Sequence, residues 1–385
     1  MKVLLVEPNY NSKYAPLGLM KISAMLKRQG HEVSFIKGRK IFPEKFDQIY
    51  ITSLFTFWYK ITIETILFYK HHYPKAEIKT GGIFASLMPN YIKQHTGIAP
   101  HFGLIPEAEK EIPDLSMNSS ESSIVFTSRG CIRKCGFCIV PKVEGDLKPI
   151  EGWERYVDLS KPNITFWDNN WFAKGMTELE KDVKIIRDLI KRGIREVDFN
   201  QGLDARIFND DIAKLLEGIP IKPIRFAFDN MSEDGFVQRG IETAQKYGLS
   251  KKQKWCATGM PPTIYVLYNF NDTPEDFYYR IREVIKAGGM SFPMQYAPHD
   301  DLDRKYVGRH WTKVQRDAVK TMTNNLGQIS AESREAFEFT WGKTKKEFLD
   351  NINMTKKEIR KKQIKRMVDN IRRRTATSPE DLCTK

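Results

Sequence analysis

Nothing in this sequence is apolar for long enough to cross a bilayer: no run reaches the ~18 consecutive apolar residues that a spanning helix needs. No secretory leader is expected either. The first residues, MKVLLVEPNY, lead straight into a strand pattern, without the charged region, apolar core and small-residue cleavage site of a signal peptide. Cysteine is scarce, with five in 385 residues, and that excludes a disulfide scaffold. Together these absences predict a cytoplasmic protein with no membrane partner. No G-x-G-x-x-G follows the first strand pattern, where the turn reads PNYNSKYAPLG, so the dinucleotide-binding fingerprint is missing. Hydrophobic residues make up 41% of the chain and aromatics 12%, which is enough for a sizeable core and excludes a disordered or fibrous protein.

What is present falls into three parts. Residues 1–118 alternate strand-like and helical patterns: KVLLVE, LGLMKISAMLKRQG, EVSFIK, QIYITSLF, TIETILFYKHH and EIKTGGIFASLMP. Val3 to Val6 form the continuous apolar run of a strand covered on both faces, whereas Leu19, Ile22 and Leu26 recur at helical spacing. An α/β, Rossmann-like domain with a parallel sheet follows. Gly81 and Gly82 read either as a close approach for a ligand or as a tight strand-to-helix turn. The segment from Pro106 to Ser123, PEAEKEIPDLSMNSSESS, has the composition of a linker. In residues 119–310 the strand patterns SIVFTS, NITFWD, REVDFN, IRFAFD, TIYVLYNF and SFPMQYAP, with helical stretches between most of them, predict a partial (β/α)6, TIM-like barrel. Residues 311–385 form a polar, helix-forming extension.

Three of the five cysteines, Cys131, Cys135 and Cys138, stand within eight residues in SRGCIRKCGFC. A structural zinc site wants four ligands and a disulfide framework an even number. Three thiolates instead suit a four-iron cluster whose fourth iron keeps an open position. The zinc reading stays available at this stage, with Cys256 or a histidine as fourth ligand to the Cys135–Cys138 knuckle and Cys131. The loop directly follows the first strand of the six-strand part, and chemistry in such folds gathers at the carboxyl ends of strands.

In its C-x3-C-x2-C spacing, in the aromatic Phe137 before the last cysteine, and in its place after that first strand, the stretch resembles the radical S-adenosylmethionine (radical SAM) superfamily. The resemblance implies a 4Fe-4S cluster on Cys131, Cys135 and Cys138, with SAM chelated at the open iron. An external electron donor would drive cleavage of SAM to a 5'-deoxyadenosyl radical, or SAM would serve as methyl donor. A Rossmann-like part ahead of a barrel is similar to the class with a cobalamin-binding domain. The D-x-H-x-x-G motif that brings a histidine to cobalt is absent here, so cobalamin would bind without that ligand or not at all.

The same resemblance places cofactor-binding residues at strand ends. They are Phe137 in the loop itself; Asp168, Asn169 and Asn170 in WDNNW, as acceptors for the SAM ammonium or as an Asx turn; Asn200 and Gln201 after the third strand; Asp229 after the fourth; and Gln295, beside Tyr296, after the sixth. Asp204 and Arg206 stand at the same mouth and also read as an ion pair. Cys256 reads as a packing thiol or a catalytic one, and Cys383 as incidental. In VPKVEG, Lys142 and Glu144 are substrate contacts or the polar end of a loop.

Charge is the remaining signal. Residues 342–385 hold 14 Lys and Arg against 6 Asp and Glu, which is +8 of the formal +14. Such a tail predicts a polyanionic partner, with a nucleotide or nucleic acid as substrate, or else a solvated helical face. A reading from a different class is a non-enzymatic nucleic-acid-binding protein in which the cysteines hold structural zinc or an iron-sulfur cluster.

Overall fold

The structure, a computed structural model, describes residues 1–249, 261–326 and 334–365. It divides into two compact units, the first built on Met1–Arg225 with residues 243–249 and Ala297–Tyr306, the second on Phe226–Glu242, Pro261–Tyr296 and the described residues from Val307 onward. Cys256 and Cys383 lie outside the described residues, as does the tail beyond residue 365.

The first unit opens with β1 (Lys2–Glu7), α1 (Leu17–Arg28), β2 (Glu32–Lys37), β3 (Gln48–Ser53), α2 (Tyr59–His72), β4 (Glu77–Gly82), α3 (Ile83–Leu87), α4 (Pro89–Thr96) and α5 (Pro106–Glu109). The four strands pair in parallel in the order β2-β1-β3-β4. Val3 to Val6 are at most 1% exposed, as expected of a strand covered on both faces. Leu4 and Val6 join Ile49, Ile51, Ile66 and Tyr69 in one core cluster, and Val3 and Leu5 join Leu19, Met25 and Leu26 in another. Because successive strand residues point to opposite faces, helices must cover the sheet on both sides. Each such side chain contributes about 1.5–3 kcal/mol. Gly82, at φ +101, makes the turn from β4 into α3, and a Cβ there would meet the Ser53 carbonyl oxygen at 2.2 Å. Of the two readings of the Gly81–Gly82 pair, the local geometry is that of the tight turn.

The segment with linker composition is strapped to α1. Lys21 pairs with Glu109 at 2.8 Å, Lys27 with Asp114 at 2.6 Å and Arg28 with Glu111 at 2.6 Å, while the Asp114 N–H donates to the Met20 carbonyl at 3.0 Å. Its acidic residues are there as partners for the basic side of a helix, which composition alone does not separate from a solvated linker.

After this strap the first unit continues with β5 (Ser122–Val125), the short β6 (Ser128–Arg129), α6 (Val140–Val143), β7 (Lys148–Pro149), β8 (Asn163–Phe166), α7 (Met176–Lys191), β9 (Glu196–Phe199) and α8 (Asp210–Leu216). Strands β5, β8 and β9 form a parallel sheet in that order, and β6 and β7 make a two-residue antiparallel pair. The chain then enters β10 (Arg225–Ala227), α9 (Phe236–Lys246), β11 (Thr263–Tyr268), α10 (Pro274–Lys286) and β12 (Met290–Gln295), whose strands are ordered β10-β11-β12. All six predicted strands are present, each followed by a helix, the alternation expected of a (β/α)6 part, and they form two three-stranded sheets. Helix α9 had escaped the sequence reading.

In the second unit the extension supplies α11 (Lys313–Leu326), α12 (Arg334–Trp341) and α13 (Lys345–Ile352). It is part of that unit's core. Trp341 and Phe348 are at most 1% exposed; both pack on Phe277 of α10, Phe348 stacks on Tyr278 with centroids 4.6 Å apart, and the Tyr278 hydroxyl donates to the Gly342 carbonyl at 3.0 Å.

The strap titrates. Burial alone pushes the Asp114 carboxyl up, but hydrogen bonds from Lys27, Ser116 and Ser23 and the Lys27 charge outweigh it and hold the group at about 2. A carboxyl depressed in the folded state stabilises above its ordinary value of 3.8 and loses that contribution as pH falls toward 2. Asp114→Asn is expected to lower the thermal midpoint by a few degrees near neutral pH and to converge with the unsubstituted protein near pH 2, as followed by circular dichroism. A gap that stays constant with pH would contradict this account.

Candidate functional site

The site is built where β5, β8 and β9 end side by side. After β5 the chain passes Thr127 and Ser128, and both are held by Asp168 from the end of β8. This carboxylate accepts from the Thr127 N–H at 3.0 Å, the Thr127 hydroxyl at 2.6 Å and the Ser128 hydroxyl at 2.7 Å. Lys174, buried against Asp182, also donates to the Thr127 hydroxyl, and Asp182 is held in turn by the Trp153 indole N–H at 2.7 Å. Burial raises the Asp182 carboxyl, against the lowering effect of Lys174.

From this footing the cysteine loop rises as an excursion between β6 and β7. It is closed at its base. The Cys131 N–H donates to the Gly145 carbonyl at 3.3 Å, and Glu144 accepts from the Gly130 N–H at 3.0 Å, from Arg129 at 3.3 Å and from the Asn169 amide at 2.9 Å. Gly130 has φ +75, and a Cβ on it would lie 2.1 Å from the Asp146 carbonyl oxygen. Only glycine lets the two ends of the loop meet this closely. At the tip Gly136 and Phe137 occupy a turn closed by the Cys138 N–H on the Cys135 carbonyl at 3.0 Å.

A third tie reaches the segment after β9. Arg133, between the first two cysteines, donates to Asp204 at 2.8 Å; Arg206 binds the other carboxylate oxygen at 2.6 Å, and the Asn170 amide donates at 3.3 Å. Burial pushes the Asp204 carboxyl up, yet Arg206 and Arg133 together hold it below the usual range. The ion-pair reading of Asp204 and Arg206 therefore describes their contact, with Arg133 as a further member.

The three cysteines are thiols outside any disulfide, Cys131 and Cys135 half-buried and Cys138 exposed. The Arg133 N–H donates to Cys131 Sγ at 3.3 Å, a contact of the kind that tunes thiolate-held clusters. Among the described residues no group of three or more His, Cys, Asp and Glu side chains converges as ligands of a single metal ion. The donor set is three sulfurs spread along one loop, which fits a cluster whose irons each take one thiolate.

The expected cofactor residues have separate placements. Asp168, Asn169 and Asn170 come together with the cysteine loop, each with a different partner. Asn170 is 4% exposed and its Oδ1 is buried without a hydrogen-bond partner. Asn200 follows β9, its N–H on the Phe166 carbonyl at 3.2 Å, and Gln201 is exposed. Asp229 and Gln295 stand at the ends of β10 and β12 in the second unit, the Asp229 N–H donating to Glu233 at 2.6 Å. Sequence reasoning missed Arg129, Arg133 and Thr127, and left Glu144 with no fixed role. Gly130 and Gly145, flanking the cysteines, were the signal that the loop is pinched at its foot.

A second feature of the first unit is a cleft of about 590 Å3 along β3 and β4, lined by Leu19, Tyr50, Thr80, His101 and Glu109 among others.

No protein-family model matches the sequence, and no curated protein matches it. Solved structures match by fold. The radical SAM methyltransferase TsrM from Kitasatospora setae, solved with cobalamin and a 4Fe-4S cluster bound, aligns with a TM-score of 0.59 at 13% identity, over 76% of this chain and 74% of that one. The chain shares the fold of that methyltransferase. The same methyltransferase with its tryptophan substrate and the SAM analogue aza-SAM aligns with a TM-score of 0.56 at 13% identity, over 77% of this chain and 72% of that one. In this chain the three-cysteine loop follows the first strand of the six-strand part, the position expected from the sequence.

Gly130→Ala tests the pinch. A left-handed φ costs a residue with a side chain about 1–2 kcal/mol, and the clash with Asp146 adds to it. The variant is expected to keep its far-ultraviolet circular dichroism spectrum and to retain severalfold less iron after anaerobic reconstitution. Undiminished iron content would show that the closed foot is dispensable.

Proposed function

We propose that this protein is a radical SAM enzyme in which Cys131, Cys135 and Cys138 hold a 4Fe-4S cluster and SAM binds at the iron they leave open. The observation that carries this is a single loop bearing three thiols, fixed at the end of β5, in a chain with the fold of TsrM. Held by these thiolates, a cluster would supply one-electron reduction of SAM from an external donor, splitting it into methionine and a 5'-deoxyadenosyl radical; alternatively SAM would serve directly as methyl donor, leaving S-adenosylhomocysteine without an electron being taken up.

The chain's own residues position this chemistry. Asp168 accepts from Thr127 and Ser128, and its part is to hold the entry of the loop. Asn170 offers the buried, unpartnered Oδ1, an acceptor suited to the SAM ammonium. Asn169 keeps Glu144 on the loop's foot. Phe137 at the tip, and Asn200 and Gln201 beyond β9, are the other cofactor-lining positions proposed in this unit.

Residues 1–118 then form the cobalamin-binding-like part, 119–310 the part that uses SAM, and 311–385 the extension. The residues fit cobalamin only in part. The cleft along β3 and β4 has the volume of a drug-sized ligand site, room for one portion of so large a cofactor, and the motif that would supply a histidine to cobalt is missing. Among the described residues no helix is long and apolar enough to cross a membrane. A cytoplasmic setting goes with this reading, because a reducing compartment keeps the three thiols available.

The substrate we propose is a nucleotide or nucleic acid, and its support is charge. Lys356, Lys357, Arg360 and Lys361 are all exposed. Since Trp341 and Phe348 belong to a core, the test leaves the fold in place: the four residues are changed to Gln, and binding to single-stranded RNA is measured against salt. The slope of log K against log salt is expected to fall by about 3, near 0.7 per lost contact. An unchanged slope removes the argument for a polyanionic substrate.

For the reaction itself, anaerobic reconstitution with ferrous iron, sulfide and reductant is expected to load about four irons per chain and to yield 5'-deoxyadenosine or S-adenosylhomocysteine from SAM. Cys→Ala at position 131, 135 or 138 should abolish both. A protein that takes up no cluster and consumes no SAM overturns the reading and leaves the non-enzymatic binding protein in its place.

A further inference from the structure

A line of charged groups runs from the N-terminal cleft to the first cysteine. Lys21 on α1 donates to Glu109 at 2.8 Å; Glu109 also accepts from Arg129 at 3.1 Å; Arg129 reaches Glu144 at 3.3 Å; and Glu144 takes the Gly130 N–H at 3.0 Å, one residue before Cys131. Every member belongs to the first unit. The side chains are largely withdrawn from water, Lys21 at 7%, Arg129 at 17%, Glu144 at 16% and Glu109 at 24% exposure. Arg129 is held in addition from one side, its guanidinium lying 3.6 Å from the centroid of the Phe126 ring.

We propose that Arg129 and Glu144 are positioning residues for the cysteine loop, with Glu109 tying them to the cleft that it also lines. This rests on the cluster-binding reading of the loop. The guanidinium presents its two terminal nitrogens to two different carboxylates, a planar fork that lysine lacks. Arg129 therefore fixes the distance between Glu109 and Glu144, and Glu144 converts that distance into the position of the Gly130 N–H and hence of Cys131. The loop's foot is thus set from the N-terminal part of the chain as well as from its own strand.

The test uses the full chain with Arg129→Lys and Glu144→Gln, and two readouts. In the iron-free, reduced protein, the rate at which iodoacetamide labels Cys131 is followed by peptide mass spectrometry. Both variants are expected to label about tenfold faster, the loss of one charge-assisted hydrogen bond, while the global unfolding midpoint in urea moves little. In protein reconstituted with ferrous iron and sulfide, both are expected to give a shifted electron paramagnetic resonance spectrum and lower iron retention than the unsubstituted chain. Wild-type labelling rates in both variants overturn the proposal. If the unsubstituted chain binds no iron yet the variants label faster, the positioning role stands and the cluster reading falls. Glu144→Gln preserves shape and decides the matter should Arg129→Lys fail to fold.

Discussion

The carboxylate of Asp168 sits where two strands end and one loop begins, and most of the site's geometry follows from its bonds to Thr127 and Ser128. A buried carboxylate left without partners would be costly, so once it lies at the end of β8 it must recruit donors, here from Thr127 and Ser128 just after β5. In doing so it fixes the start of the cysteine loop to the neighbouring strand. The two residues that follow it extend the same logic, Asn169 toward Glu144 at the loop's far end and Asn170 toward Asp204 in the segment after β9. Three consecutive side chains thus distribute one loop over three strand ends. A loop anchored in this way presents its thiols from a rigid base, a requirement for any centre that must hold a cofactor and a substrate in register.

Much of this could be read from the sequence because it rests on local periodicity. The unbroken Val3–Val6 run specified a strand with two covered faces, and the six later strand patterns fell where the barrel strands are. The cysteine spacing singled out the candidate loop with no knowledge of the fold. The rest depends on pairings between distant residues, on which periodicity is silent. Glu109 and Glu144 are 35 positions apart and become neighbours only through Arg129. The acidic residues from Glu109 to Asp114 looked like linker because their partners, on α1, lie more than 80 positions earlier. WDNNW could be placed at a strand end, but which of its residues is engaged by protein and which keeps an unmet acceptor needed coordinates.

The two units use buried charge in different ways. In the second, Arg280 is fully buried, paired with Asp272 at 2.7 Å and bonded to the Phe228 carbonyl at 2.7 Å, so its donors are absorbed by one scaffold. In the first, Lys21, Glu109, Arg129 and Glu144 form a chain of contacts that runs from the cleft to the foot of the cysteine loop. Ionic groups kept out of water add little net stability but specify one arrangement among several, and specifying an arrangement is what a loop without regular secondary structure requires.

The extension has a consequence for how related chains can diverge. Its apolar positions, Trp341, Phe348 and Ile352, are locked into a core and can change only in concert with α10. Its exposed lysines and arginines carry no such burden. Basic residues can be gained or lost one at a time on that surface at little cost in stability, so the charge of the extension can change without disturbing the helices that carry it.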